Sequence, residues 1–234
     1  MKLPEAIILA GGLGTRLKSE FPDLPKCMVP MAGKPFIDHL ISTMMGQGIT
    51  DFVFSLGYKS EIILEHLSDH WKNLQYSYVI ENEPLGTGGA ILFASSKIRG
   101  SDFFVFNGDT LFIIDPHELF ATHTKKEGLI TIALKPMKNF DRYGNVAIDA
   151  NQKISAFTEK TFCADGLING GIYLVNKKCF LLPDLPQKFS FEKDVIEVQV
   201  ENNFVYGHIF DGYFIDIGIP DDYRKADMDL RIAD

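Results

Sequence analysis

Short apolar runs alternate with segments of helical length through the first half of the chain. Ala6–Ala10 reads as a buried strand and Pro35–Met45 as a helix. The pair recurs as Asp51–Ser55 with Ser60–His70, and again as Tyr76–Ile80 with Thr87–Lys97. Phe103–Phe106 is a further strand. Pro116–Lys126 opens on proline, whose fixed φ and missing N–H suit a first helical turn. Strands alternating with helices predict a mostly parallel sheet covered on both faces, with right-handed crossovers. After Leu129 the pattern shortens. Leu129–Leu134, Val146–Ile148, Ile154–Thr158, Gly171–Val175, Phe204–Phe210 and Tyr213–Ile217 read as strands, Phe191–Val200 as a helix, and Pro220 starts a last one. The expected fold is α/β: a Rossmann-like, open, mixed but mostly parallel sheet flanked by helices. Its ligand crevice is expected beyond the carboxyl ends of the parallel strands.

Composition narrows the partners. The 234 residues are 46% hydrophobic and 23% charged, a globular balance with enough apolar material for a substantial core. The net charge of −8 argues against a nucleic-acid partner, which asks for a basic face. It leaves nucleotides open, because backbone N–H groups, a few cations and a metal can hold phosphates in an acidic protein. Cys27, Cys163 and Cys179 lack metal-ligand spacing and read as reduced thiols of a cytoplasmic protein. No apolar stretch approaches the roughly 20 residues that span a bilayer, and Ile7-Ile8-Leu9 is too short for a secretory signal, so no membrane partner is expected. The six histidines form no metal-spaced cluster; His66 and His70 read as surface or half-buried residues of one helix.

The densest chemistry follows the first strand: Ala10-Gly11-Gly12-Leu13-Gly14-Thr15-Arg16-Leu17. Glycines let successive backbone N–H groups converge on an anion, and a guanidinium adds a planar fork for phosphate oxygens. Two familiar loops are excluded. The dinucleotide fingerprint needs a third glycine where Leu17 stands, and the P-loop needs Gly-Lys-Ser/Thr where Thr15-Arg16 stands. Pro25-Lys26 comes shortly after, and a lysine held by a proline can aim a compact charge at phosphate.

The run Gly11 to Leu17, with Pro25-Lys26, Pro30 and Gly33-Lys34-Pro35, resembles the signature of the sugar-1-phosphate nucleotidyltransferases. The resemblance continues through Glu83-Pro84-Leu85-Gly86-Thr87-Gly88-Gly89-Ala90, Asn107-Gly108-Asp109, Glu159-Lys160, Asn169-Gly170-Gly171-Ile172-Tyr173 and Asp216-Ile217-Gly218. These motifs run in order across nearly the whole chain.

The resemblance implies one domain over 1–234, with a nucleotide-binding half at about 1–127 and a sugar-binding half at about 128–234. Leu9, Gly11, Gly12, Gly14, Thr15, Arg16, Glu81, Pro84, Gly86 and Thr87 would hold the nucleoside triphosphate, with Arg16 on the leaving pyrophosphate. Lys26 would meet phosphate oxygens at the reacting centre. Asp109 and Asp216 would hold Mg²⁺, a cation that typically takes one or two carboxylates and fills its octahedron with phosphate and water. Gly144, Glu159, Lys160, Asn169 and Gly170 would form the sugar-phosphate side. In isolation, each aspartate reads by default as a cap or turn residue, Glu159-Lys160 as a surface ion pair and Asn169-Gly170-Gly171 as a hairpin turn.

Within the family the short form is most similar to the guanylyltransferases that act on D-glycero-α-D-manno-heptose 1-phosphate for bacterial surface glycans. Glu81, or in its place Glu83, offers two acceptor oxygens to the paired N–H donors of guanine, which makes GTP the expected nucleotide. Thymidylyl or uridylyl transfer to another hexose 1-phosphate stays open, as do a nucleotide-sugar glycosyltransferase and a non-catalytic regulatory relative. Homo-oligomers are compatible with the sequence.

Overall fold

The structure is a computed structural model in which residues 2–12, 17 and 20–233 are described. β1 (Ala6–Leu9) leads to a 3₁₀ turn at Lys26–Met28 and a small hairpin, β2 (Pro30–Met31) with β3 (Lys34–Pro35). Three strand–helix units follow: α1 (Phe36–Gly46), β4 (Asp51–Leu56), α2 (Ser60–His70), β5 (Gln75–Ile80), α3 (Gly86–Ser95) and β6 (Asp102–Asn107). β7 (Thr110–Phe112) and α4 (Pro116–Lys126) close the first half. The second half holds β8 (Ile130–Phe140), β9 (Val146–Ile148), β10 (Ile154–Phe157) and β11 (Cys163–Asn176). It ends with α5 (Glu197–Glu201), β12 (Val205–Ile209), β13 (Phe214–Asp216) and α6 (Pro220–Ala233).

One seven-stranded sheet runs through both halves in the order β12-β8-β11-β6-β1-β4-β5. β1 pairs in parallel with β4 and β6, β4 with β5, and β12 with β8, whereas β11 runs antiparallel to β6 and β8. The central strands are apolar on both sides because both faces are covered. Alternation then sorts neighbours: Ile8, Phe54 and Phe106 enter one core, and Ile7, Val53 and Val105 the other. Helix starts follow local chemistry. Asp115 accepts the His117 N–H at 2.8 Å, with Pro116 in the first turn of α4.

The first half matches the pattern reading within a residue or two, and the second departs from it in three places. β8 and β11 are far longer than the apolar runs that marked them, because their outer ends are only half-buried and carry little apolar signal. Asn169-Gly170-Gly171 is not a hairpin turn. It forms a bulge inside β11, where the four-residue step from Asn169 to Tyr173 is matched by a two-residue step on β8, and Gly171 takes a φ of +73°. The helix expected over Phe191–Val200 begins as a π-helical turn at Glu192–Ile196. There the Lys193 N–H bonds the Ser190 hydroxyl at 3.2 Å and the Ser190 N–H bonds Asp194 at 2.7 Å, reciprocal bonds that cap the first turn. β7 is too short to register as a periodic pattern.

Candidate active site

Where β1, β4 and β6 end, the chain leaves a crevice of about 800 Å³. Leu9, Gly11 and Gly12 form its floor, with Ser55 and Gly57 from the end of β4 and Asn107-Gly108-Asp109 from the end of β6. Glu81, Pro84, Gly86 and Thr87 form one wall, while Lys26, Asp216 and Gly218 stand on another. The Gly86 backbone bends into the left-handed region at a φ of +73°, and a Cβ there would lie 2.4 Å from the Phe189 carbonyl oxygen, so the turn into α3 requires glycine. Gly14, Thr15 and Arg16 lie outside the described residues.

Asp109 and Asp216 are distant in sequence but adjacent in space, because β7 and β13 pair antiparallel in the register Thr110–Asp216. The Ile217 N–H also bonds the Asp109 carbonyl at 3.0 Å. Lys26, which opens the 3₁₀ turn after Pro25, reaches both carboxylates: its Nζ is 2.5 Å from Asp109 Oδ2 and 3.7 Å from Asp216 Oδ1. Asp216 Oδ1 also accepts the Gly218 N–H at 2.7 Å. Burial, and next the negative charge of Asp109, raise the Asp216 pKa above the usual carboxylate value, while Lys26 opposes them. Two converging carboxylates facing an open crevice fit a hard divalent cation that takes its remaining ligands from phosphate and water. Among the described residues no larger cluster of acidic, histidine or cysteine side chains offers an all-protein cage.

On the opposite wall, the Glu81 carboxylate accepts the Leu85 N–H at 2.9 Å and the Ser55 hydroxyl at 3.4 Å. It lines the crevice, whereas Glu83 is exposed and does not. Thr87 donates to Glu192 at 2.9 Å.

The residues expected on the sugar side do not line this crevice, although the β11 bulge abuts Asn107, which does. Gly144 packs against the Thr158 carbonyl, Glu159 and Lys160 are exposed beyond β10, and Asn169 and Gly170 sit in the β11 bulge. Arg142 and Tyr143 both stand within electrostatic reach of Asp216. The Tyr143 ring meets Phe214 at 6.0 Å, and burial and then the Asp216 charge keep its hydroxyl protonated. Arg142 is 2.6 Å from Asp222, and its charge also reaches Asp216.

Motif reasoning missed Ser55, Asn82 and above all Glu192 on the crevice wall. Ser190 ahead of the Phe191–Val200 segment is a helix-start signal that could have pointed there, but nothing in the pattern distinguishes Glu192 from a solvated first-turn carboxylate. His66 and His70 stay away from the crevice; His66 lies 2.7 Å from Asp38, which also accepts the Trp71 indole N–H at 2.7 Å. The Cys27 thiol is buried beside the site, and burial pushes its pKa up to about 12, so it remains a neutral packing group.

A doubly covered sheet with a glycine-floored crevice, a lysine and two facing carboxylates defines a phosphate-handling transferase. Residues 5–232 match the family model described as nucleotidyl transferase, and the chain belongs to that family. More particularly, it is 46% identical over 227 residues to the D-glycero-α-D-manno-heptose 1-phosphate guanylyltransferase of Aneurinibacillus thermoaerophilus, covering 97% of this chain and 98% of that protein. The protein of the same description from Campylobacter jejuni is 45% identical over 219 residues, covering 94% and 96%. Among solved structures, HddC from Yersinia pseudotuberculosis superposes with a TM-score of 0.88 at 38% identity, covering 97% of this chain and all of that one. The same protein complexed with GMP-PN gives a TM-score of 0.85. No described helix is long and apolar enough to cross a membrane.

Proposed function

We propose that this chain is a guanylyltransferase that joins GTP to D-glycero-α-D-manno-heptose 1-phosphate, forming GDP-heptose and pyrophosphate. The observation that carries this reading is identity of 45–46% over nearly the full length of two heptose 1-phosphate guanylyltransferases. A structural neighbour crystallised with GMP-PN supports the guanine nucleotide. The product would serve a bacterial surface polysaccharide and be made in the cytoplasm.

A phosphate oxygen of the sugar 1-phosphate attacks the α-phosphorus of GTP in line. The bond from the α-phosphorus to the bridging oxygen breaks, and pyrophosphate leaves with that electron pair. The nucleophile is already anionic, so no general base is needed, and catalysis rests on holding two repelling anions in line. The floor glycines would let the triphosphate approach the backbone, with Arg16 on the β- and γ-phosphates by family resemblance. Asp109 and Asp216 would hold Mg²⁺, which supplies positive charge to the phosphate oxygens when bound. Among the described residues, Lys26 presents the cation within ion-pair reach of both carboxylates. The Glu81 position on the crevice wall favours it over Glu83 as the acceptor of the guanine N1–H and N2 amine. Gly144, Glu159, Lys160, Asn169 and Gly170 would receive the heptose 1-phosphate.

The test is pyrophosphate release from a matrix of GTP, ATP, CTP, UTP and dTTP against heptose, mannose and glucose 1-phosphates. GTP with the heptose 1-phosphate is expected to lead, with GTP ahead of dTTP and UTP by at least about tenfold in kcat/KM. Equal use of dTTP or UTP would overturn the guanylyl assignment and leave the reaction class standing.

A further inference from the structure

Glu192 has no part in the mechanism above, yet its carboxylate stands on the crevice wall beside Thr87. One oxygen, Oε2, accepts from the Thr87 hydroxyl at 2.9 Å and from the Ser190 hydroxyl at 3.1 Å. The Thr87 oxygen in turn accepts the Phe191 N–H at 2.9 Å, so that hydroxyl is engaged as donor and as acceptor. The same carboxylate lies against the Tyr173 hydroxyl; burial first, and then the negative charge of Glu192, hold the tyrosine proton in place. Tyr173 is buried in β11, packed edge-on to Phe191. Its oxygen accepts from the Asn169 amide at 2.9 Å, and the Asn169 carbonyl accepts the Gly171 N–H at 3.0 Å. Two hydrogen-bonded groups, one around Glu192 with Thr87 and Ser190 and one of Tyr173 with Asn169 in the β11 bulge, therefore meet where the Tyr173 ring packs on Phe191 at 5.3 Å and the negative charge of Glu192 faces the tyrosine hydroxyl.

The direction of these contacts is fixed by the chemistry of their centre. An ionised carboxylate only accepts, so Thr87 and Ser190 donate to it, and its charge favours a Tyr173 O–H turned the same way. With its proton committed, the tyrosine oxygen is left to accept, and this decides which end of the Asn169 amide faces it. We propose that Glu192 and Tyr173 are positioning residues that couple the nucleotide side, at Thr87, to the sugar side, at Asn169. The inference rests on the assignment of those two sides made above. An amide at 192 would bring N–H donors into a ring of donors and leave one without an acceptor.

The test uses the full chain as wild type, Glu192→Gln, Tyr173→Phe and the double variant, with GTP and heptose 1-phosphate. Each single change is expected to lower kcat/KM for the sugar 1-phosphate about tenfold. The double variant is expected to lose no more than the worse single one, because both break the same link. The decisive readout is the KM for GTP in Tyr173→Phe. Tyr173 does not line the crevice, so a severalfold rise reports transmission through Glu192. Additive losses, or a wild-type GTP KM in Tyr173→Phe, would overturn the coupling while leaving an active wild type and its assigned reaction intact. GTP titration calorimetry reads the same link without turnover, so a wild type inactive with every substrate pair defeats the functional reading and not this test. Tyr173→Phe is expected to weaken that binding severalfold, and unchanged affinity defeats the coupling. If Glu192→Gln does not fold, Thr87→Val paired with Tyr173→Phe is judged by the same non-additivity.

Discussion

Replacing Asp216 with asparagine separates what the residue does for the reaction from what it does to the fold. Its Oδ1 is 3.7 Å from the Lys26 ammonium, a gross attraction of about 4 kcal/mol at an effective dielectric constant near 20. Asp109 Oδ2 is 2.5 Å from the same ammonium, so the two carboxylate oxygens are at most about 6 Å apart, the sum of those distances. Their repulsion is then at least about 3 kcal/mol on the same scale. Attraction exceeds repulsion by no more than about 2 kcal/mol, and burial, the leading cause of the raised pKa, tips the balance against the charge. Asparagine keeps an oxygen for the Gly218 N–H and removes the charge. Asp216→Asn is therefore expected to be more stable by about 1 kcal/mol, a rise in Tm of about 2–4 °C for a chain of this size, measured by thermal melting in EDTA at pH 7.5. Because the folded pKa is raised, the penalty on the charged form grows as pH rises from the ordinary carboxylate value through the raised one. The stability gap between variant and wild type should widen over that interval and stay flat at neutral pH. Pyrophosphate release should meanwhile fall about 10²–10³-fold, as expected when charge stabilisation is removed from the reacting centre. A lower Tm together with retained turnover would refute both halves of the reasoning and mark Asp216 as a structural anchor.

Lys26→Ala should lower turnover by about 10²–10³-fold and, unlike Asp216→Asn, lower Tm as well, because it leaves two carboxylates facing each other unneutralised. Activity and melting measured side by side check the opposite signs. Glu81→Gln should shrink the preference for GTP over UTP in competition assays, with little change in Tm, because an amide oxygen can still accept the Leu85 N–H. His123, buried between α4 and β8, has its pKa lowered chiefly by burial, so the unfolded chain protonates before the folded one. Urea midpoints should accordingly fall as pH drops below about 6.5, and His123→Gln should flatten that fall.

The parallel half of the fold was legible because strands buried on both faces are unbroken apolar runs, and α2 and α4 follow the expected bounds because helical periodicity and Pro116 mark them. The outer halves of β8 and β11 were not, since strands covered on one side at a sheet end lose the apolar run that reveals them. Glycines and Lys26 announced a phosphate site by residue type, Asp109 and Asp216 joined it only through the family resemblance, and the structure brings Lys26 and the two aspartates within one side chain's reach. Their adjacency depends on the pairing of β7 with β13, two three-residue strands far apart in the chain, which no local pattern encodes. Glu192 was invisible for the same reason: its place on the wall is set by Thr87 and Ser190 and not by its own neighbours in sequence.

The position of β11 between β6 and β8 bears on how the molecule is born. As the chain emerges from its amino end, β1, β4, β5 and β6 can assemble from local strand–helix units, but β6 then presents an open apolar edge. That edge stays uncovered until residue 176 is available to complete β11, and unpaired edges of this kind invite contact with other chains. The last component of the acidic pair, on β13, arrives later still. A nascent or truncated chain therefore gains a sheet well before it gains a site, and its most aggregation-sensitive interval falls between those two events.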